Sequence, residues 1–102
     1  MDLSKALKLV KKGLRKQITE TAYFRRRVRR REMDVSHVRQ VVSHQNIVGI
    51  ENQSNNRFRV WFKYSETKDL NIALDILPSG RLVFVTLFPS ASRRRTYDQA
   101  RI

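Results

Sequence analysis

The chain has no cysteine, three glycines, two prolines and two histidines among its 102 residues. Lack of cysteine excludes a disulfide framework, a thiolate metal site and cysteine nucleophile chemistry, and it suits a reducing compartment. A cytoplasmic protein is the expectation. His37 and His44 stand seven positions apart, whereas a helical metal pair more usually sits at i,i+4, so no metal and no other cofactor is expected. No apolar run approaches the roughly 18 residues that cross a bilayer. Lysines interrupt the N-terminal stretch that a signal peptide would keep apolar. Acidic residues are scarce too: 9 Asp+Glu oppose 22 Lys+Arg, for a net charge of +13.

What is present is enough for one hydrophobic core. Apolar residues make up 40 % of the chain, with one Trp, three Tyr and five Phe, which argues against disorder and for a single domain. We expect that domain over residues 1–89, followed by a basic tail over 90–102. The charge is unevenly placed: residues 1–45 hold 13 basic and 4 acidic residues, 46–89 hold 5 and 4, and 90–102 hold 4 and 1. General solubility would not gather cations at the two ends, so the pattern points to a polyanionic partner.

Leu3, Ala6, Leu7, Val10, Leu14 and Ile18 recur at helical spacing, which predicts a first helix, with Gly13 a place for a bend or an early end. A second helix is predicted from Thr19 or Thr21 to Glu32, anchored by Phe24 and Val28, and a third from an Asp34 cap to about His44. After Asn46 the period becomes two and the vocabulary shifts to Val, Ile, Phe, Tyr and Trp. Four strands follow, near 47–51, 57–64, 70–77 and 81–88, with connections too short for helical crossovers. The expected fold is α+β, three N-terminal helices on a four-stranded antiparallel sheet. A basic amphipathic first helix could lie on an anionic membrane, but the apolar face of the sheet needs a cover, so no membrane partner is expected.

The run Arg25-Arg26-Arg27-Val28-Arg29-Arg30-Arg31 is the most informative motif. On a helix it makes five like-charge pairs at i,i+3 or i,i+4, costing together about 1–2.5 kcal/mol. Guanidinium groups offer bidentate contacts to phosphate, so the run reads as a phosphate-binding ridge. The plainer alternative is a solvated basic face with one or two arginines turned inward to pair with Glu32, Asp34 or Asp75. In the second strand Arg57, Arg59, Trp61 and Lys63 share a face, a second basic surface whose indole could stack on a base. Arg93, Arg94, Arg95 and Tyr97 add charge and a phenol in the tail.

The run from Tyr23 to Val42 and the closing strand Arg81–Pro89 resemble the small RelE/BrnT-type toxin-like domains and their relatives. That family tends to show a His, an Arg four and another eight residues later, a small cap with an apolar helix, and a Val-Thr-aromatic strand. Here these positions read Tyr23, Arg27, Arg31, Asp34-Val35 and Val85-Thr86-Leu87-Phe88, with Glu32 where a Gly often follows the second arginine. The resemblance implies a RelE-like fold, metal-independent RNA cleavage, often on the ribosome, and neutralisation by an acidic antitoxin. On that footing Arg27, Arg31, Arg59 and Arg81 are candidates to stabilise a phosphorane, with Tyr97 or Tyr23 moving the proton and His37 assisting. The expected function is RNA binding, extended by toxin-type endoribonuclease activity. A non-catalytic nucleic-acid or ribosome-binding module, or a basic subunit pairing with an acidic protein, are the alternatives.

Overall fold

The computed structural model describes residues 2–16, 18–31, 33–91 and 100–101. Asp2 starts helix α1 (Leu3–Gly13), its carboxylate accepting from the Lys5 N–H at 2.7 Å. Thr21 caps α2 (Ala22–Arg30), and Asp34 caps α3 (Val35–Ser43) by accepting from the Ser36 N–H at 2.9 Å. Each cap satisfies N–H groups that the first helical turn leaves open.

The strands are β1 (Thr19–Glu20), β2 (Ile47–Ser54), β3 (Arg57–Lys63), β4 (Lys68–Ile76), β5 (Leu82–Ala91) and β6 (Ala100–Arg101), in the sheet order β1-β5-β4-β3-β2-β6. The expected four-stranded antiparallel, RelE-like sheet is therefore replaced by a mixed one. β1 runs parallel to β5, pairing Thr19 with Val83 and Glu20 with Phe84, while the two-residue β6 adds antiparallel to β2 at Gly49 and Ile50. Strand residues thus lie on both sides of the expected boundary at residue 89.

Two residues carry no period, which is why β1 escapes a reading of alternation. It exists because Thr21 is anchored three ways. Its N–H donates to the Phe84 carbonyl at 3.1 Å, its hydroxyl donates to the Val85 carbonyl at 2.9 Å, and its Oγ1 accepts from the Phe24 N–H at 3.0 Å. The same anchor starts α2 at Ala22. Helix α1 is also shorter than the apolar stripe to Ile18 suggests. A Cβ on Gly13 would lie 2.6 Å from Leu82 Cγ and 3.0 Å from the Gly80 carbonyl, so the helix ends where it abuts the β4–β5 turn.

All three helices lie on one side of the sheet, α1 against β2, α2 against β5 and α3 against β3. Between the layers sit Phe58, Val60 and Phe62 of β3 and Leu70, Ile72 and Leu74 of β4, all fully buried. Each removes apolar surface worth about 1.5–3 kcal/mol from water. A register shift in β5 pairs Ala73 with Thr86 but Leu74 with Phe84, leaving Val85 as an extra residue. That bulge brings Leu82, Phe84 and Leu87 to the core although their spacing changes from two to three.

Candidate nucleic-acid interface

The orientation of α2 is decided by its two apolar residues. Phe24 and Val28 are buried, and the Phe24 ring packs 5.4 Å from that of Phe84. At 3.6 residues per turn the arginines are then distributed around the rest of the helix. Arg25 and Arg29 face α3, where they line a hollow with Val35, Val38 and Arg39. Arg26 and Arg30 point outward. Tyr23 and Arg27 take the other flank, with the guanidinium carbon 5.7 Å from the ring centroid, within the range of a cation–π contact.

Arg25, Arg26, Arg29, Arg30 and Arg31 are exposed, and Arg27 is half-buried, its Nε without a hydrogen-bond partner among the described residues. The ion pairs among the described residues are Arg57–Asp75 and Lys63–Glu66, so none of the six arginines of the run is in one. The carboxylates that could have drawn them inward are used elsewhere: Asp34 caps α3 and Asp75 holds Arg57. Glu32 lies outside the described residues.

The second basic surface behaves differently. Arg57 and Asp75 are cross-strand neighbours, and the guanidinium donates from Nε to Oδ1 at 2.7 Å and from Nη2 to Oδ2 at 2.9 Å. This hydrogen bonding, opposed by desolvation and helped by the Asp75 charge, raises the Arg57 pKa above its ordinary value. Arg59 is half-buried, 5.9 Å from the Trp61 ring centroid and 5.5 Å from that of Phe88. With the Gln53 amide turned so that its oxygen faces the guanidinium, that oxygen accepts from Arg59 Nη2 at 2.9 Å. Trp61 itself is only 5 % exposed, which leaves its ring little face for a base. Lys63 is exposed, with Glu66 at 3.7 Å. Asp69, expected in a turn, instead belongs to β4 and is fully buried.

Among the described residues, Tyr23, Arg59 and Arg81 of the proposed catalytic set are not brought together, whereas Tyr23 and Arg27 are in contact. Tyr23 lies on the helical layer, Arg59 on the opposite face of the sheet, and Arg81 in the turn before β5. There Arg81 lines a hollow of about 440 Å³ with Lys16, Leu77 and Ser79. Tyr97, Arg93, Arg94 and Arg95 lie outside the described residues. Arg31 forms the C-cap of α2, one turn past Arg27. His37 stands apart from all of these, edge-on to the Tyr64 ring at 4.6 Å, in a polar hollow that also holds Gln40, His44 and Lys63. Among the described residues no three His, Asp or Glu groups gather as a metal site, and no helix is long and apolar enough to cross a membrane.

The sequence reading also missed the grooves beside α2. Their walls use Val35, Val38 and Val42, whose helical spacing was legible, but also Glu20, which is placed there only by β1.

Together these features define an α+β domain in which three helices cover one face of a mixed sheet and the central helix carries arginines that make no ion pair among the described residues. The chain belongs to the MJ0788 family, whose model matches residues 4–74. The matched span includes α2, α3, all of α1 but its first residue, and the arginine run. No curated protein and no solved structure matches the chain. The family match bears on membership and leaves the RelE/BrnT resemblance as a reading of the residues quoted for it.

Proposed function

We propose that this protein binds RNA through the exposed surface of α2. The observation that carries the reading is the state of the arginines: five are exposed on one short helix and its cap, with no ion pair among the described residues. Their mutual repulsion disfavours the helix, and phosphate oxygens would relieve it while accepting bidentate hydrogen bonds. Tyr23 is 47 % exposed beside Arg27, so the same helix offers a ring on which an unpaired base can stack. That combination favours single-stranded or looped RNA, on the ribosome or free, over groove reading of duplex DNA.

The non-catalytic form of this function fits the geometry best. Cleavage through the 2′-OH needs a base, an acid and phosphorane stabilisation at one phosphate, whereas Tyr23, Arg59 and Arg81 lie on separate surfaces. Toxin-type endoribonuclease activity is the second reading, favoured by the Tyr23–Arg27 contact, since those positions carry the resemblance to RelE/BrnT-type sites. An acidic antitoxin belongs to that reading.

Fluorescence anisotropy of a labelled single-stranded RNA across a salt series tests the proposal. Five phosphate contacts give a slope near −3.5 in log affinity against log salt, at about 0.7 per contact. Affinity that does not change with salt, or that survives neutralisation of the α2 arginines, overturns it. Mapping new RNA ends on naked and translated transcripts separates the readings: salt-sensitive binding with intact RNA supports the binding module, and new ends lost with Tyr23→Phe support the nuclease.

A further inference from the structure

We propose that the groove between α2 and α3 docks an acidic, amphipathic segment of another protein. Two hollows of about 320 and 160 Å³ adjoin there, sharing Glu20, Phe24, Val38 and Arg39 in their walls. The larger continues over Leu14, Ile18, Val42 and Phe84, and the smaller over Val28 and Val35. Much of the floor is therefore the edge of the core itself. Val35, on the rim of the smaller hollow, is 43 % exposed, one of the two large hydrophobic residues left out in the described surface.

The rim specifies the occupant. Arg25 and Arg29 rise from α2 and Arg39 faces them from α3, none of them in an ion pair among the described residues. Among the described residues, Glu20 is the one acidic group in either wall. The groove therefore presents three cations and one anion around an apolar floor. A helix carrying two apolar side chains a turn or two apart places one in each hollow, as in other helix-in-groove complexes. Carboxylates flanking those anchors meet the guanidinium groups, and a hydroxyl or N–H donor between them suits Glu20. A nucleic-acid backbone can use the arginines but has no aliphatic groups for the floor, which sets this site apart from the RNA surface. Arg25 and Arg29 are common to both. Where the RNA reading holds, the segment and RNA exclude one another, and only this last clause rests on that reading.

The probe is a synthetic helical peptide of about fifteen residues with leucines at i, i+4 and i+7, a few glutamates flanking them and alanine or glutamine elsewhere, titrated into the isotopically labelled full chain and followed by amide NMR. Three controls accompany it: the same acidic composition with scrambled leucine spacing, a lysine version of the same pattern, and dodecanoate. Expected are saturable shifts centred on α2 and α3 and affinity at least about tenfold above both peptide controls. Val35→Glu, at an exposed first-turn position, and Arg39→Glu, on the exposed face of α3, each lower that affinity about tenfold while the amide spectrum remains that of a folded chain. A scrambled peptide that binds equally well reduces the effect to net charge and overturns the proposal. Equal binding of the lysine version, shifts outside the groove, or no shifts at all also overturn it, and saturable entry of dodecanoate alone replaces a protein segment by an amphiphile. RNA anisotropy with Val35→Ser, which removes the apolar rim without placing a carboxylate beside Arg25 and Arg29, keeps the two hypotheses distinguishable, because this variant loses the peptide and retains RNA.

Discussion

The arginines of α2 and those of β3 carry the same side chain into opposite circumstances. On β3, Arg57 is held by both oxygens of Asp75, and Arg59 lies between Trp61 and Phe88 with Gln53 at its edge. On α2, repulsion within the run is compensated only in part by the position of Arg27, Arg29 and Arg30 in the last helical turn, where the dipole favours cations. A cation that is already hydrogen-bonded contributes to the fold and has less to offer a ligand. One that remains solvated and repelled by its neighbours gains more from a phosphate. Sequence alone scores these residues alike; their partners separate them.

The sharpest way to break this contrast is to neutralise each set and measure RNA affinity. Replacing Arg25, Arg26, Arg29 and Arg30 together by Gln is expected to remove about 3 units of the salt slope and at least about a hundredfold of affinity at low salt. Arg57→Gln is expected to change RNA affinity less than about twofold, since its guanidinium is already satisfied. Comparable losses from both variants would mean that the far face of the sheet takes part in binding and that prior pairing does not predict a residue's availability.

The reverse experiment reads stability. Asp75→Asn removes the charge partner of Arg57, whose side chain is 41 % exposed against 24 % for Asp75. Solvent screening holds the expected loss to about 1 kcal/mol, visible as a lower urea midpoint with unchanged slope. The sign of the pH dependence follows from the raised Arg57 pKa. The stability it contributes is fully present through the neutral range and is lost only as strongly alkaline pH passes the folded-state pKa. A loss of several kcal/mol at neutral pH would show that the pair is far less accessible to solvent than its exposure indicates.

How far the sequence revealed this arrangement depends on the kind of signal each residue carries. Asp34 and the anchors Phe24 and Val28 were legible because capping and helical periodicity are local. The faces of β3 and β4 were legible for the same reason. Nothing local announces β1, whose pairing depends on Thr21 reaching Phe84 and Val85 more than 60 residues away. β5 was legible as a strand near 81–88, but the bulge at Val85 interrupts its alternation and hides which of its residues face the core. Trp61 sits among basic residues in an alternating strand and so looks exposed, but it lies on a buried part of the far face. The candidate site follows the same rule. The arginine run is visible in the sequence, whereas the division of its members among the α3 groove, solvent and Tyr23 becomes visible only when Phe24 is seated on Phe84.

The smallest effect tests whether the arginines of α2 are maintained against their own repulsion. Arg30 stands at like-charge spacing from Arg26 and Arg27, and Arg26 and Arg30 are exposed and line neither hollow of the groove. Arg30→Gln should relieve those pairs and stabilise the domain by a few tenths of a kcal/mol at low salt, at about 0.2–0.5 kcal/mol per pair. Part of that gain is offset, since Arg30 also lies in the favourable last turn. Raising the ionic strength shortens the screening length to a few ångströms, so both contributions shrink and the stabilities of variant and parent should converge. A variant that is less stable at every salt concentration would mean that Arg30 contributes packing or an ion pair to the fold. In that case the difference between α2 and β3 would be one of degree, and the case for an external anion would rest on Arg25, Arg26, Arg29 and Arg31.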